Sequence, residues 1–576
     1  MPAKRSVDPS IVLLPYLSAD LGTQMGRDED GPLIETLRFH ADEPLLDGPV
    51  SRRVAIIDFD PETGQVLPGV RFSSKGGARG QHTYAIAEPR NPERRDFMQV
   101  SVFATILSTM AQFETADVLG RKLRWAFEGE QLLVVPRAGK MANAYYHRAS
   151  RSLQFFFFDA DINGTTKTIH TCLSPDIIAH ETSHAILDGI APDLYNSVSP
   201  QSLALHEAVA DLSAVIFSLR SRELATGQLK MANGILSKAV GFSAIAEQFG
   251  HAQSGEHDHP LRDLDNDHVL PGGTGTVILR AEPHALSTVL SGALYSLLVA
   301  IFDRSLIDLG DAEEPMPGGE VPSQFSQSGK ALFIAREKFK RIIFRGLDYL
   351  PPGEISFADY GRAMIAADAS SNPDSPEFRE ILRSEFVRRG IVQTRDELEA
   401  QMPAFALPED IDLDQLVRSN WAAYQFADRF RGALMVPPDI AIDVPSRLDV
   451  TKSTYRSDAE GKPHRVEFRE CIFKVSWRRT QILKRRSGLV EELSIIYGST
   501  LVIDWATREI KAFLTTSPDH ALQKTGAANT NRDMRESYLA ICLSEGMVQI
   551  GSPEAELTGG TLRLRGLGQF LHMSGH

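Results

Sequence analysis

The chain has 576 residues, enough for several hydrophobic cores, and its composition of 42% hydrophobic, 24% charged and 8% aromatic residues is typical of a globular protein. With 61 Lys and Arg against 75 Asp and Glu, the net charge of −14 argues against a general nucleic-acid binder, which needs a basic face for phosphates. Three scattered cysteines exclude a disulfide framework and a thiolate zinc cluster.

The N-terminal segment does not fit a secretory signal, because its apolar stretch is short and Pro15 interrupts it. We therefore expect a cytoplasmic protein, with non-classical export as the alternative. The oligomeric state is left open by the sequence.

The first part of the chain is predicted to be rich in strands. Within residues 1–95, the segment 53–60 is a strand candidate. A helix is expected from about 97 to 120, followed by a strand at 132–136. The run of four phenylalanines inside 153–159 predicts one buried strand.

Helices are predicted from about residue 175 onward. Beyond the helices of 175–245, the periodicity predicts four more at 284–306, 328–347, 356–368 and 375–390, with an exposed insertion at 310–328. The uncharged run 285–302 approaches the length of a membrane span, but its Ser, Thr and Gly residues favour a buried core helix. After about 400, strand patterns at 465–481 and 489–516 indicate a separate α+β accessory domain.

Residues 174–189 have the start and stop signals of one helix. Ser174 can cap it, Pro175 suits the first turn, and Asp176 complements the positive end of the helix dipole. Gly189 is a suitable stop.

This helix contains a metal-binding pattern. His180 and His184 are four residues apart, so both imidazoles project from one face and can hold one zinc ion. Glu181 lies beside them, where its carboxylate can reach a water molecule on the metal. The alternative is a helix with surface histidines, because a five-residue pattern also arises by chance.

A second helix, predicted to follow Ser199 and Pro200, supplies the missing donor. Glu207 and Asp211 are four residues apart and share one face. A catalytic zinc needs three protein ligands, so Glu207 can be the third, while Asp211 can accept the free N–H of a ligating histidine. The alternative is two solvated acids, which the apolar neighbours of this helix disfavour.

Together these segments resemble the thermolysin-like zinc metallopeptidases of the gluzincin group. The segment 180–184 resembles their zinc helix, with Asp188 in the place of a following Asp. The segment 206–211 resembles their glutamate helix, usually NEAxSD, with His206 replacing the Asn and Ala210 replacing the Ser. His206 either contacts a zinc-ligating side chain without binding the metal itself, or packs in the core without a role at the site. The sequence leaves both interpretations open.

The resemblance implies further site residues. Tyr195 stands where the family has a tyrosine that stabilises the transition state, and His284 lies in a segment similar to that of its second transition-state histidine. Asn143 and Ala144 look like the start of the edge strand that holds the substrate. Arg262 lies in a segment similar to that of a substrate-binding arginine.

The chain also departs from the family pattern, and the resemblance covers only about half of it. A secretory signal and a clear propeptide are not seen. Asp176 matches one calcium ligand, but Ser218 stands where a Glu is expected, so calcium is not predicted. Leu279 replaces the acid that normally orients the second histidine, and Glu282 is the alternative partner of His284.

We therefore expect an α+β fold with a two-lobed thermolysin-like core, a β/α lobe followed by a helical lobe. The expected regions are an N-terminal β-rich region, a β/α lobe with the zinc helices, a helical lobe and a C-terminal α+β accessory domain, at residues 1–95, 96–240, 241–395 and 396–576.

The expected function is a Zn²⁺-dependent endopeptidase that acts on a peptide or protein, with Glu181 as general base. One alternative is a zinc-binding peptide-recognition or regulatory protein with little turnover, suggested by the missing acid at Leu279. Another is a hydrolase dedicated to a single partner, which would ignore generic substrates.

Overall fold

The computed structural model describes most of the chain, namely residues 10–19, 27–28, 31–41, 43–73, 82–162, 165–245, 262–310, 327–373, 375–399, 405–457, 463–484, 490–517, 527–552, 555–558 and 561–564. These residues form 13 α-helices and several small sheets, which is a mixed α+β architecture. The insertion expected at 310–328 lies outside the described residues except at its ends.

Strands dominate the chain before residue 171. They are β1 (Ser10–Leu17), β2 (Arg27–Asp28), β3 (Gly31–Pro32), β4 (Ile34–Ala41), β5 (Val54–Ile56), β6 (Phe72–Ser73), β7 (His82–Tyr84), β8 (Leu132–Val135), β9 (Ala144–His147), β10 (Ser152–Phe155), β11 (Phe157–Ile162) and β12 (Thr165–His170). One sheet has the order β4-β1-β7-β6 and another the order β5-β8-β10-β9. Since β5 pairs in parallel with β8, the N-terminal region and the next region share a sheet.

Two strand predictions are corrected by this arrangement. The segment 153–159 is not one strand, because β10 ends at Phe155 and β11 begins at Phe157 in a different sheet. Between them, the N–H of Phe156 donates to the Thr171 hydroxyl and to the carbonyl of Asn143, which turns the chain out of the ladder. The strand expected at 53–60 is limited to β5.

Helices form most of the middle of the chain. They are α1 (Arg95–Glu114), α2 (Pro175–Ile190), α3 (Pro192–Tyr195), α4 (Pro200–Ser218), α5 (Arg222–Met231), α6 (Val240–Ser243), α7 (Pro283–Leu309), α8 (Gln327–Tyr349), α9 (Phe357–Ser371) and α10 (Glu377–Arg388). The four helices predicted after residue 280 are confirmed. α4 lies at the centre, with α2 and α7 packed against it, and it is buried from Pro200 to Phe217.

Short elements connect these helices. They are the 3₁₀ helices Thr171–Leu173, Leu236–Lys238 and Arg395–Leu398, and the strands β13 (Ala244–Ile245), β14 (Arg262–Asp263), β15 (His268–Val269) and β16 (Thr276–Val277). β13 pairs with β14, and this pairing places Arg262 beside α4.

α7 is the apolar helix that raised the question of a membrane span. It is long and apolar enough to cross a membrane, but 72% of its most apolar 18-residue window is buried inside the protein. It packs between α4 and α8. The burial of its apolar surface by other helices favours its interpretation as a core helix.

In the part of the C-terminal region that the structure describes, the chain forms a six-stranded sheet and three helices. These are β17 (Ile442–Ser457), β18 (Pro463–Lys484), β19 (Val490–Asp504), β20 (Ile510–Thr515), β21 (Ala555–Thr558), β22 (Thr561–Leu564), α11 (Leu413–Arg418), α12 (Asn420–Arg429) and α13 (Ala527–Ser544). The strand order is β17-β18-β19-β22-β21, and β20 also pairs with β19. The α+β character predicted for this region is confirmed.

The C-terminal region shares its hydrophobic cores with the rest of the molecule. Ile472 and Val502 of its sheet belong to the same buried cluster as the central helices. Conversely, Leu203 of α4 and Ala281 belong to the buried cluster of the C-terminal region. A boundary at residue 395 therefore does not separate two independent cores.

A buried ion pair lies inside the C-terminal sheet, and hydroxyl groups of two helices donate to its carboxylate. The Nζ atom of Lys452 on β17 lies 3.2 Å from Oε2 of Glu470 on β18, and both side chains are 1% exposed. Tyr349 of α8 and Ser370 of α9 donate to Glu470 at 2.6 and 3.0 Å. The carboxylate thus depends on one cation and two hydroxyls that come from three different elements.

We expect Lys452→Met to lower the free energy of unfolding by about 3–5 kcal/mol, because it leaves Glu470 buried without its cation. Lys511→Met is the control, since Lys511 pairs with Glu509 on the surface of the same sheet. Urea denaturation of both variants checks this, and an equal loss in the two would contradict it.

Candidate metal centre

The N-terminus and the end of α2 differ from the sequence prediction in detail. Ser174 lies at the N-cap, but its hydroxyl donates to Asp176 at 2.5 Å and does not accept a helical N–H. Gly189 does not end the helix, which continues for one more residue. A Cβ atom at Gly189 would lie 1.9 Å from the carbonyl oxygen of Arg124, so glycine is required for this close approach.

Two histidines and one glutamate bring their side-chain donor atoms together between α2 and α4. The Nε2 atoms of His180 and His184 lie 3.0 Å apart. Oε2 of Glu207 is 3.4 Å from Nε2 of His180, and Oε1 is 3.5 Å from Nε2 of His184. The structure therefore brings together the three residues that the sequence predicted as metal ligands.

This arrangement suits a tetrahedral metal ion. With bonds of 2.0–2.1 Å, tetrahedral donors lie about 3.3 Å apart, close to the 3.0 to 3.5 Å that separate the side-chain donor atoms of these three residues. Glu207 is fully buried, and neither of its oxygens accepts a hydrogen bond from the described residues. A buried carboxylate without such bonds is destabilising unless a cation lies beside it, so the group is suited to hold a metal ion.

The other ring nitrogen of each histidine faces a residue of α4. Nδ1 of His180 lies 3.0 Å from Oδ1 of Asp211, and Nδ1 of His184 lies 3.2 Å from Nδ1 of His206. Asp211 and His206 are both fully buried. They hold the orientation of the two imidazoles, so His206 contacts a candidate ligand directly and does not only pack.

The charges of this cluster favour a cation at its centre. Burial opposes protonation of His180, but Asp211 and Glu207 outweigh it and raise the pKa of His180 to about 10. Burial opposes ionisation of Glu207, yet the surrounding histidines hold its pKa well below the usual value. Burial lowers the pKa of His206 to about 3, so this ring is neutral and can accept a hydrogen bond from the His184 ring.

Glu181 lies beside the histidines, and His180, Glu181 and His184 by themselves also form a buried group that could hold a metal ion. One of its oxygens is within 4.8 Å of a ring nitrogen of both His180 and His184. Its Oε2 accepts the backbone N–H of Tyr146 at 2.9 Å, which holds the carboxylate between β9 and α2. Burial raises the pKa of Glu181 to about 8, a value suited to proton transfer near neutral pH.

β9 is the terminal strand of its sheet, next to the metal centre. It pairs with β10 on one side, and Tyr146 turns its N–H the other way, towards Glu181. Ala144, two residues earlier, points its N–H in the same direction, and the side chain of Asn143 accepts this N–H at 2.8 Å. The edge position predicted from the Asn143 and Ala144 segment is confirmed.

Tyr195 is held by residues that the sequence analysis did not identify as functional. The guanidinium of Arg148 lies over the Tyr195 ring at 4.3 Å, and Asp188 accepts from Arg148 and from the Tyr146 hydroxyl. Burial raises the pKa of Tyr195 to about 12, so the phenol keeps its proton. Arg148 has no sequence pattern of its own, because it reaches the site only through the pairing of β9 with β10.

His284 lies at the start of α7 and faces the metal centre. Its Nε2 is 3.5 Å from Oε2 of Glu207, and its Nδ1 is 2.6 Å from Oε1 of Glu282. Glu282 is also the N-cap of α7, since its oxygens accept the N–H groups of His284 and Ala285. Glu282 therefore orients the His284 ring. Leu279 has no polar group that could do this, and its side chain is exposed.

Arg262 joins the carboxylates of α4. Its Nε and Nη2 donate to Asp211 at 2.8 to 3.2 Å, and Nη2 lies 3.9 Å from Oε2 of Glu207. This contact was not predicted, because it depends on the pairing of β13 with β14. The side chains of His284 and Arg262 are 13% and 10% exposed, so solvent reaches the cluster on their side.

The chain matches no known protein-family model, and no curated protein matches it. The chemical interpretation of the site therefore depends on its own residues and geometry.

We expect the purified protein to hold one equivalent of a divalent transition metal, and a chelator to lower its melting temperature, because a ligand of the folded state stabilises it. His184→Ala and Glu207→Gln should lose the metal, since each removes one donor of three. Metal content after dialysis is measured by mass spectrometry. His268→Ala, outside the cluster, is the control, and equal metal content in all variants would exclude this site.

Proposed function

We propose that this protein is a zinc-dependent endopeptidase of thermolysin-like type. The observation that carries the proposal is the convergence of His180, His184 and Glu207 on one point, with a second carboxylate, Glu181, beside it. A purely structural metal site has no need of a buried carboxylate with a raised pKa next to its ligands. The two lobes of the core would be the sheet of β9 with α2, and the helices from α7 onward.

Zinc is the metal that this donor set favours. Two imidazoles and one carboxylate are ligands that Zn²⁺ accepts readily, and three protein ligands leave one position for water or substrate, as in catalytic sites. Bound Zn²⁺ supplies Lewis acidity, which polarises a carbonyl and makes a water molecule more acidic. The contacts of Asp211 with His180 and of His206 with His184 provide the outer support that such sites need.

Glu181 would act as the general base. Its carboxylate would take a proton from the attacking water and then give it to the amine that leaves when the peptide bond breaks. The N–H of Tyr146 keeps this carboxylate in position at 2.9 Å. Since the pKa of Glu181 is raised to about 8, the group can both receive and release a proton near neutral pH.

The substrate would bind as an added strand beside β9. The outward N–H groups of Ala144 and Tyr146 already donate to Asn143 and Glu181, so an extended peptide would pair with the outward carbonyl groups of this edge strand and would run past Glu181. Asn143 and Ala144 lie on this edge. Arg262 borders the same space, although its contacts with Asp211 make it first a partner of the metal-site carboxylates.

Tyr195 and His284 would stabilise the negative charge that develops on the carbonyl oxygen. Tyr195 stays protonated and is held by Arg148, and His284 is oriented by Glu282. Donors that are positioned before the reaction stabilise the transition state without reorganisation.

We expect Glu181→Gln to retain the metal and to lower kcat for a peptide substrate by a factor of roughly 10² to 10⁴, because the amide cannot accept the proton. Glu223→Gln, on the exposed start of α5, is the matched control and should keep full activity. Hydrolysis of casein and of a quenched fluorescent peptide library is measured with and without a chelator. Full turnover by the Glu181→Gln variant would exclude Glu181 as the general base.

We expect Tyr195→Phe and His284→Gln each to lower kcat by a factor of about 10² to 10³ with little change in KM, since each loses a donor used mainly in the transition state. Glu282→Gln should show a smaller loss, because it affects only the orientation of His284. Steady-state kinetics separate these effects. A rise in KM with unchanged kcat would show that these residues bind the ground state instead.

The main alternative is a zinc-dependent peptide-binding protein with little turnover. α13 of the C-terminal region packs on α4, with Met534 of α13 contacting Gln201, so this region forms part of the surroundings of the site. Such a protein would bind zinc and peptides but would leave the peptide library intact, whereas a hydrolase dedicated to one partner would cleave only that partner.

A further inference from the structure

A cavity lies away from the metal centre, at the far end of α4. It has a volume of about 860 Å³ and is enclosed by the end of α4, by α5, and by the first turns of α8. Leu219, at this end of α4, follows Asp211 by eight residues, which corresponds to about 12 Å along a helix. The cavity is therefore separate from the residues of the proposed active site.

The charge of this cavity is opposite to that of the protein. Among the residues that the structure describes, its lining contains five basic side chains, Arg220, Arg222, Lys230, Lys330 and Arg336, and no acidic one. The whole chain carries a net charge of −14, so a cavity with only positive side chains is not explained by composition. Several basic side chains around one concave space raise the local concentration of anions.

The five cations differ in their pairing with carboxylates. Lys230 and Lys330 form no ion pair with any residue that the structure describes. Arg336, in contrast, pairs with Glu337 at 2.6 Å, and the Arg220 guanidinium lies 5.9 Å from the centre of the Phe217 ring. A bound anion would therefore balance the charge of Lys230 and Lys330 in particular.

The rest of the lining combines apolar side chains with a few small polar ones. Leu229 and Leu332 are buried at its wall, and Phe333 is 60% exposed beside it. Ser328 and Gly329, at the start of α8, contribute polar groups next to Lys330. A ligand that fits this lining combines a negatively charged group with an apolar or aromatic body.

We propose that this cavity is a binding site for an organic phosphate, in which Lys230 and Lys330 hold the phosphate and Leu229, Leu332 and Phe333 contact its apolar body. The site does not depend on the metal centre, so it can be tested whether or not the protein is a peptidase.

The probe is 1-naphthyl phosphate, and binding to the full-length protein is measured by isothermal titration calorimetry. Inorganic phosphate and 1-naphthol, which each carry half of the proposed ligand, should bind at least roughly tenfold more weakly. Lys230→Glu combined with Lys330→Glu should lower the affinity for 1-naphthyl phosphate by roughly tenfold or more, because two attractive charges become repulsive. Lys238→Glu makes the same charge change outside the cavity and should leave the affinity unaltered.

Three results would overturn the proposal. The first is no binding of the probe, or equal binding by the double variant. The second is equal binding of 1-naphthol, which would show an apolar site only. The third concerns the acidic residues that precede α8 in the sequence. If replacing Asp311, Glu313, Glu314 and Glu320 by their amides raises the affinity for the probe several-fold, the cavity binds acidic side chains of this chain and not a separate ligand. Melting temperatures of all variants verify that they are folded.

Discussion

The buried carboxylate of Glu207 imposes the strongest constraint on the centre of this molecule. It is fully inaccessible to water, it accepts no hydrogen bond from the described residues, and it is surrounded by His180, His184 and His284. A negative charge in such a place is tolerated only next to positive charge. The same requirement explains why the cluster fits a metal ion and why α2, α4 and α7 must pack together.

The residues that contact these side chains connect the site to the rest of the fold. Asp211 contacts His180 and also accepts from Arg262, which arrives from a two-stranded pairing outside the helices. Tyr195 depends on Arg148, which Asp188 holds from α2. These groups come from strands and helices that are distant in sequence, so the geometry of the site depends on the packing of the whole central part of the chain.

Much of the candidate site could be predicted from the sequence, because it lies on two helices with regular spacing. The positions of His180, His184, Glu207 and Asp211 follow from the four-residue repeat of a helix, which holds in any tertiary context. Other features could not be predicted. The strand expected at 153–159 is divided at Phe156, because a hydrogen bond to the distant Thr171 overrides the local β-propensity.

The sequence by itself determined which side chains share a helical face, the edge segment that begins at Asn143, and the apolar character of α7. Only the tertiary structure decided that Arg262 contacts Asp211, that Arg148 supports Tyr195, and that the C-terminal region shares its cores with the central helices. The physical reason is the range of the interactions. Helical periodicity acts over a few residues, whereas these contacts join segments whose separation along the chain leaves no pattern in the sequence.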